Sequence, residues 1–415
     1  MSLQNSAHIY GPFAALRPAA EHAAEVAAPP YDVMTTDEAL DLATGKPWSF
    51  LHVSRPEIDM PKGTDVHDPA VYAKGAQNLR RMTNAGVLVQ DATPSYYVYR
   101  MTSGSQKKTG IAATASIDDY LSNRVRRHEL TRPDKETDRV NHMVALNAQT
   151  GPVLAVHRAD PIIATIADRA CQDAPMLRAD VAGTSHEVWP ISGSADVSKL
   201  TTIFDRMEAV YIADGHHRSA AAARVAAGRP EQGPHKRFLV VSFPDDEVTI
   251  LDYNRVIRDL GGLSSVAFLT ALSDRFEVNP APAPVQPTTR GLFGMYLPGQ
   301  WYRLQLRGGV PKNTPLLDRL DIELLSHHLL EPVLGIGDSR TDTRIDFVGG
   351  ARGLEGLSAR VDSGEMAVAF SLWPTQLQDL MAIADANQIM PPKSTWFEPK
   401  LADGLLIHVL SPINS

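Results

Sequence analysis

The stretch AVYIADGHHRSAAAARVAAG, Ala209 to Gly228, constrains the fold more than any other part of the chain. Val210, Tyr211 and Ile212 are a short apolar run of β-favouring residues. The alanine-rich run after Gly215 has the strongest helix propensity available. Asp214-Gly215 between them is turn chemistry. A strand that passes through one tight turn into a helix is a building unit of α/β folds.

That turn also gathers Asp214, His216, His217 and Arg218. A helix starting at His216 or His217 aims free N–H groups and the positive end of its dipole at the turn. Gly215 removes a Cβ where a ligand would approach the backbone. Arg218 in the first helical turn opposes the dipole; a bound anion would lift that penalty and accept two hydrogen bonds from the guanidinium. The pattern therefore reads as a phosphate or carboxylate site. The competing reading makes Asp214 a helix cap and leaves the histidines on the surface. Adjacent helical residues diverge by about 100°, so His216 and His217 are not expected to share a metal ion. The same holds for His327-His328, read as helix surface or packing.

At 415 residues the chain is too long for one small domain, and two or three units are expected. Hydrophobic residues make up 43% and charged residues 21%, the profile of a globular protein. The net charge of −8 speaks against nucleic acid or an anionic membrane as partner. Cys171 is the single cysteine, so an internal disulfide and a cysteine zinc cage are excluded, and a reduced, cytoplasmic setting fits. The N-terminus has no basic region leading into an apolar core, and no apolar run approaches 18 residues, so neither a secretory signal nor a transmembrane helix is expected. A homodimer is compatible with the sequence but not dictated by it.

The fold class expected is α/β, a mixed sheet with helices in two or three interlocked segments. Residues 1–155 form an N-terminal α/β segment, with Thr35 or Thr36 capping a helix and a hairpin joining PSYYVYRMTS to KKTGIAATASIDDYL through GSQ. Residues 156–262 alternate helix and strand around the opening stretch. Residues 263–415 form a C-terminal α/β segment. Within it, NPAPAPVQPTTRG reads as an exposed loop or linker, and LDIELLSHHLLEPVLGI as a helix ended by Pro332.

Other stretches carry candidate chemistry. RVRRHELTRPDKETDR places Arg124, Arg126 and Arg127 before His128-Glu129, with Asp138-Arg139 beyond. A carboxylate among cations stays ionised, which makes Glu129 the candidate base, His128 its partner and Asp138 the runner-up; the alternative is a solvated loop. MPPKSTWFEPK offers Lys393, Ser394 and Thr395 on a proline-stiffened loop, with Lys400 nearby. It lacks the glycines of a P-loop and reads either as an anion-binding loop or as a rigid surface loop packed through Trp396 and Phe397. PPYDV presents Tyr31 and Asp32, and RPEID presents Arg55 and Glu57. Neither a glycine-rich dinucleotide fingerprint nor a G-x-S-x-G elbow occurs.

Through ADGHHRSAAA, PPYDV, RPEID, RRHELT, Asp138-Arg139, LGIGDSRTD and MPPKSTWFEPKLADGLLIH, the chain resembles the bacterial domain-of-unknown-function family conventionally numbered one thousand and fifteen, over nearly its whole length. The strand–DGHHR–helix element is also similar to the signature of the free serine kinases of the ParB/sulfiredoxin superfamily. Members of that superfamily bind nucleotide phosphates where a polar turn enters a helix. This narrower resemblance implies a ParB/sulfiredoxin-like element in residues 156–262. It implies ATP or ADP with magnesium as cofactor, Asp214 as a magnesium ligand, and serine or phosphoserine as the amino-acid substrate. Asp214, His216, His217 and Arg218 would form the phosphate and amino-acid end of the site, with Gly215 and Ser219 beside them. Arg139, Tyr31, Asp32, Lys393, Ser394, Thr395 and Lys400 complete the candidate contacts. The expected function is phosphoryl transfer, in the kinase or the nucleotide-dependent phosphatase direction. The alternatives are a ParB-like nucleotide-binding regulator without turnover and a hydrolase using His–Glu pairs. If Glu129 serves this site, its carboxylate lies within roughly 10–12 Å of the Arg218 guanidinium.

Overall fold

A computed structural model describes residues 8–230, 232–339 and 341–411. One unit takes the chain up to Val248 together with the chain from Pro399 onward; the other is Thr249–Glu398.

The first unit is built on a nine-stranded mixed sheet. Its strands are β1 (Tyr10–Gly11), β2 (Tyr96–Ser103), β3 (Gln106–Ser116), β4 (Val125–Arg126), β5 (Val153–His157), β6 (Leu177–Val181), β7 (Thr184–Ile191), β8 (Val210–Asp214) and β9 (Arg237–Pro244). They lie in the order β4-β8-β5-β9-β3-β2-β7-β6, with β1 added beside β3. The β4–β8 and β5–β9 pairs are parallel and the others antiparallel. The expected hairpin is β2–β3, in which Ser103 pairs with Gln106 and Gly104 takes the positive φ of the turn.

Around the sheet lie α1 (Pro69–Asn84), α2 (Pro133–Leu146), α3 (Pro161–Ala170), α4 (Ser194–Arg206) and α5 (His216–Ala227). Asp68 and Asp160 cap α1 and α3, each followed by proline at the first helical position. Thr35 forms a capping box with Glu38. The main core joins Val98, Ile111, Trp189, Phe204, Ile212 and Phe238 to the buried face of α5, where Ala221, Ala222 and Ala226 have side chains small enough for close helix–sheet approach.

The segments 1–155 and 156–262 do not separate. β8 lies between β4 and β5, and β9 between β5 and β3, so the hydrogen-bond ladder crosses the expected boundary repeatedly. Nor does 263–415 stand alone: Ala28 bridges to Asp403, Leu16 to Ile407, and Ala148–Gln149 pairs with His408–Val409.

The second unit carries a six-stranded antiparallel sheet, β10 (Tyr253–Ile257), β11 (Phe276–Ala281), β12 (Leu292–Leu297), β13 (Gln300–Leu306), β14 (Ile345–Gly349) and β15 (Val368–Ser371), in the order β11-β13-β12-β15-β10-β14. The proline-rich stretch is not all loop. Asn279–Ala281 finish the edge strand β11, where proline is tolerated, and Val285 is buried in the core. Pro332 does not end its helix: α, π and α turns run through Asp321–Leu325, Ser326–Leu330 and Glu331–Leu334, and Gly335 in the left-handed region stops them. Among the described residues no helix is long and apolar enough to cross a membrane.

Candidate functional site

The parallel pairing of β4 with β8, Val125 opposite Val210 and Arg126 opposite Tyr211, sends both strands out at the same end of the sheet. His128-Glu129 follow β4 and Asp214–Arg218 follow β8, so two stretches far apart in sequence meet. β5 flanks β8 on its other side, antiparallel, and brings Gly151, Pro152 and Val153 to that end. Gly215 sits at the N-cap of α5 with φ +95°, and a Cβ there would lie 3.3 Å from the Val153 Cα. Only glycine fits this turn without strain.

Asp214 accepts the Gly215 N–H on Oδ1 (3.0 Å) and Lys400 Nζ on Oδ2 (3.3 Å). Burial alone would raise its pKa; Lys400 and then Arg218 outweigh burial and hold it below the usual carboxylate range. Arg218 is buried and donates to the Pro152 carbonyl and to Asp32 (3.3 Å). Burial disfavours its charge, but Asp32 and Asp214 more than compensate and raise its pKa. Tyr31 lies between two guanidinium groups, with Arg139 3.9 Å and Arg218 5.8 Å from its ring centroid. Arg139 donates to Asp138 (2.9 and 2.5 Å), which also accepts the Tyr72 hydroxyl (2.8 Å). Arg55, paired with Glu57 (2.6 Å), holds the carbonyls of Tyr31 (2.8 Å) and Met34 (2.9 Å). RPEID therefore fixes the PPYDV loop.

His128 and His216 meet edge to face, ring centroids 4.5 Å apart at 87°. Glu129 Oε2 is 3.9 Å from His216 Nδ1. Burial lowers the His128 pKa to about 4; burial and then the neighbouring His128 push that of His216 well down, so both are neutral at pH 7. The Ile212 backbone lies close enough to His128 to oppose that drop, yet outside good hydrogen-bond geometry. One ligand atom from each of His128, Glu129 and His216 lies within 4.8 Å of the others, the one group of three with metal-binding spacing among the described residues. Asp214, the expected magnesium ligand, is not in that group.

Other expected residues have local roles. His217 accepts the Arg132 N–H on Nε2 (3.1 Å), bracing the start of α2. Ser219 is fully buried and its hydroxyl donates to the His216 carbonyl (3.0 Å) inside the first helical turn. Arg124 binds Asp119 (3.3 Å), Arg126 binds Glu208 (3.1 Å), and Arg127 lies 5.3 Å from the Tyr120 ring centroid. Lys393, Ser394 and Thr395 belong to the second unit. There Lys393 has φ +58° with Nζ 5.7 Å from the Tyr253 ring centroid, and Ser394 donates to the Pro391 carbonyl.

Sequence reasoning missed Asp403. Its carboxyl is buried within reach of the Arg218 charge, against Gly151, where a Cβ would come 2.7 Å from Oδ1. Burial raises its pKa to about 7 although Arg218 opposes the rise. The available signal was a lone acid inside the apolar run LADGLLI, in an Asp-Gly step like Asp214-Gly215. Among the described residues, eleven buried side-chain nitrogen and oxygen atoms lack a hydrogen-bond partner. Six of them belong to His128, His216, Arg218 and Asp403. Native interiors satisfy nearly all such atoms, and this concentration makes this end of the sheet the candidate site.

Comparison with curated proteins gave no match. Solved structures of partial likeness include a conserved hypothetical protein from Pyrococcus furiosus (14% identity, 72% of this chain and 95% of that chain, TM-score 0.37). Others are a free serine kinase in complex with AMP (14%, 71% and 92%, 0.36) and SbnI with a C-terminal truncation from Staphylococcus aureus (9%, 73% and 90%, 0.40). These likenesses are slight. The family model described as "Protein of unknown function (DUF1015)" matches residues 11–323, three quarters of the sequence, and the chain belongs to that family.

Proposed function

We propose that this site transfers a phosphoryl group between a nucleotide and a small hydroxy amino acid, serine or phosphoserine. The observation that carries the reading is the convergence of unpartnered buried polar atoms on the N-terminus of α5. Phosphoryl transfer requires positioning and charge neutralisation more than covalent help from the protein. The amides opening α5, the free Nε of Arg218 and the Lys400 ammonium are donors suited to phosphoryl oxygens. Glu129, beside His216, orients the acceptor hydroxyl. Magnesium bound with the nucleotide would neutralise phosphate charge, and the ionised Asp214 is the residue suited to hold it. The similarity of the DGHHR element to the free serine kinases supports the choice of nucleotide and amino acid.

The test is to incubate purified protein with ATP or ADP, magnesium and serine or phosphoserine, and to follow products by mass spectrometry. Nucleotide-dependent interconversion is expected, and it should be lost in Arg218→Lys, which keeps the charge but not the fork. Tight nucleotide binding with no product from either amino acid would replace this reading by that of a nucleotide-binding regulator.

A further inference from the structure

Phosphoryl transfer makes no use of His128, which is 1% exposed with neither ring nitrogen hydrogen-bonded. We infer that His128, Glu129 and His216 are the three protein ligands of a divalent transition-metal ion of the zinc class, with a coordination position left open to a substrate oxygen.

Three observations meet here. The first is unsatisfied nitrogen: both atoms of His128 and Nε2 of His216 are buried without a partner, whereas buried polar groups are normally hydrogen-bonded. A metal ion takes one lone pair from each ring. The second is distance. A tetrahedral ion with bonds of about 2.1 Å holds its ligand atoms about 3.4 Å apart. One ligand atom from each of the three residues already lies within 4.8 Å of the others; side-chain shifts that draw them in by roughly 1.4 Å close the set. The third is the donor set. Two imidazoles and one carboxylate suit zinc, cobalt or ferrous iron, while magnesium prefers oxygen alone. The ligands also stand on rigid supports, since His128 follows β4 closely and His216 opens α5. Glu129 is the wet side of the group, its side chain 34% exposed, so the open position faces solvent rather than core.

The site's existence does not depend on phosphoryl transfer; only its use does. Within that reading, the ion would polarise the acceptor hydroxyl and lower its pKa, and Glu129 would orient the hydroxyl by holding the ion.

Untagged protein, stripped with a chelator, is titrated with Co²⁺ alone, without nucleotide or amino acid. Uptake is followed by visible d–d absorption and equilibrium dialysis. One Co²⁺ per chain is expected, displaced by Zn²⁺ but not by a hundredfold excess of Mg²⁺. Glu129→Gln, at a partly exposed position, should keep the melting temperature of the metal-free protein and weaken Co²⁺ binding at least about tenfold. His128→Asn should weaken it as well, and His327→Asn should not. Substoichiometric uptake, or uptake that survives both Glu129→Gln and His128→Asn, would overturn the assignment. Because no substrate is present, a failed phosphotransfer assay and a failed cobalt titration are separate results.

Discussion

Two carboxyl groups in the first unit differ in what surrounds them, and their titration should differ accordingly. Asp214 is held ionised by Lys400 and Arg218. Asp403 is buried with a pKa near 7 against an ordinary 3.8. Between about pH 4 and pH 7 the folded chain keeps a proton on Asp403 that the unfolded chain has released. The contribution of Asp403 to stability should therefore fall as pH rises through that window and level off above it. Asp321 in the second unit, also near 7, acts in the same sense, and the buried histidines held near 4, His128 and His142 among them, act in the opposite sense, so the measurement is a difference: the change in melting temperature from pH 4 to pH 7 should be more positive in Asp403→Asn than in the wild type. For Glu129→Gln the expectation is kinetic. Turnover should fall at least about a hundredfold with nucleotide affinity little changed, as read by single-turnover rates and nucleotide titration. The titratable residues of DGHHR and of His128-Glu129 were legible in sequence because charge gathered at a predicted turn is visible along the chain. Asp403 was not, because only folding sets it against Gly151 and within reach of Arg218.

Secondary structure was legible wherever local chemistry and tertiary context agree. The strand–turn–helix unit around Gly215, the β2–β3 hairpin and the Thr35 cap are such places. Pro332 shows the opposite case. Proline lacks the N–H that a continuing helix needs, but the π turn before it takes up the mismatch and the helix runs on to Leu334. For the turn that opens α5, Gly215→Ala would force a Cβ into the left-handed region against Val153. A loss of about 1–2 kcal/mol is expected, measurable as a lower denaturant midpoint with unchanged m-value.

In the molecule as a whole, chain order and spatial order part company. Segment boundaries drawn at 155 and 262 follow composition, but sheet pairing crosses the first, and Thr249–Glu398 is a unit set inside the other's sequence. Those pairings join residues far apart along the chain, which no local pattern reveals. A chain ending at Glu398 would lose Lys400, Asp403 and the strand partner of Ala148–Gln149. It is expected to melt well below the full chain and to lose nucleotide binding; thermal scanning with and without nucleotide checks both. With a net charge of −8, no specific binding to duplex DNA is expected at physiological salt, and a gel shift tests this.

The in-register parallel ladder of β4 and β8 turns sequence spacing into a ruler. His128 stands two residues beyond Arg126, and His216 two beyond Asp214, so each group's reach is counted from its own strand end. Sequences that drift in side-chain identity can still place the two histidines edge to face, provided these counts stay fixed. An insertion in the loop after Glu129 would be absorbed at the surface. The same single residue inserted between Arg126 and His128 would carry the imidazole past its partner and take Glu129 with it.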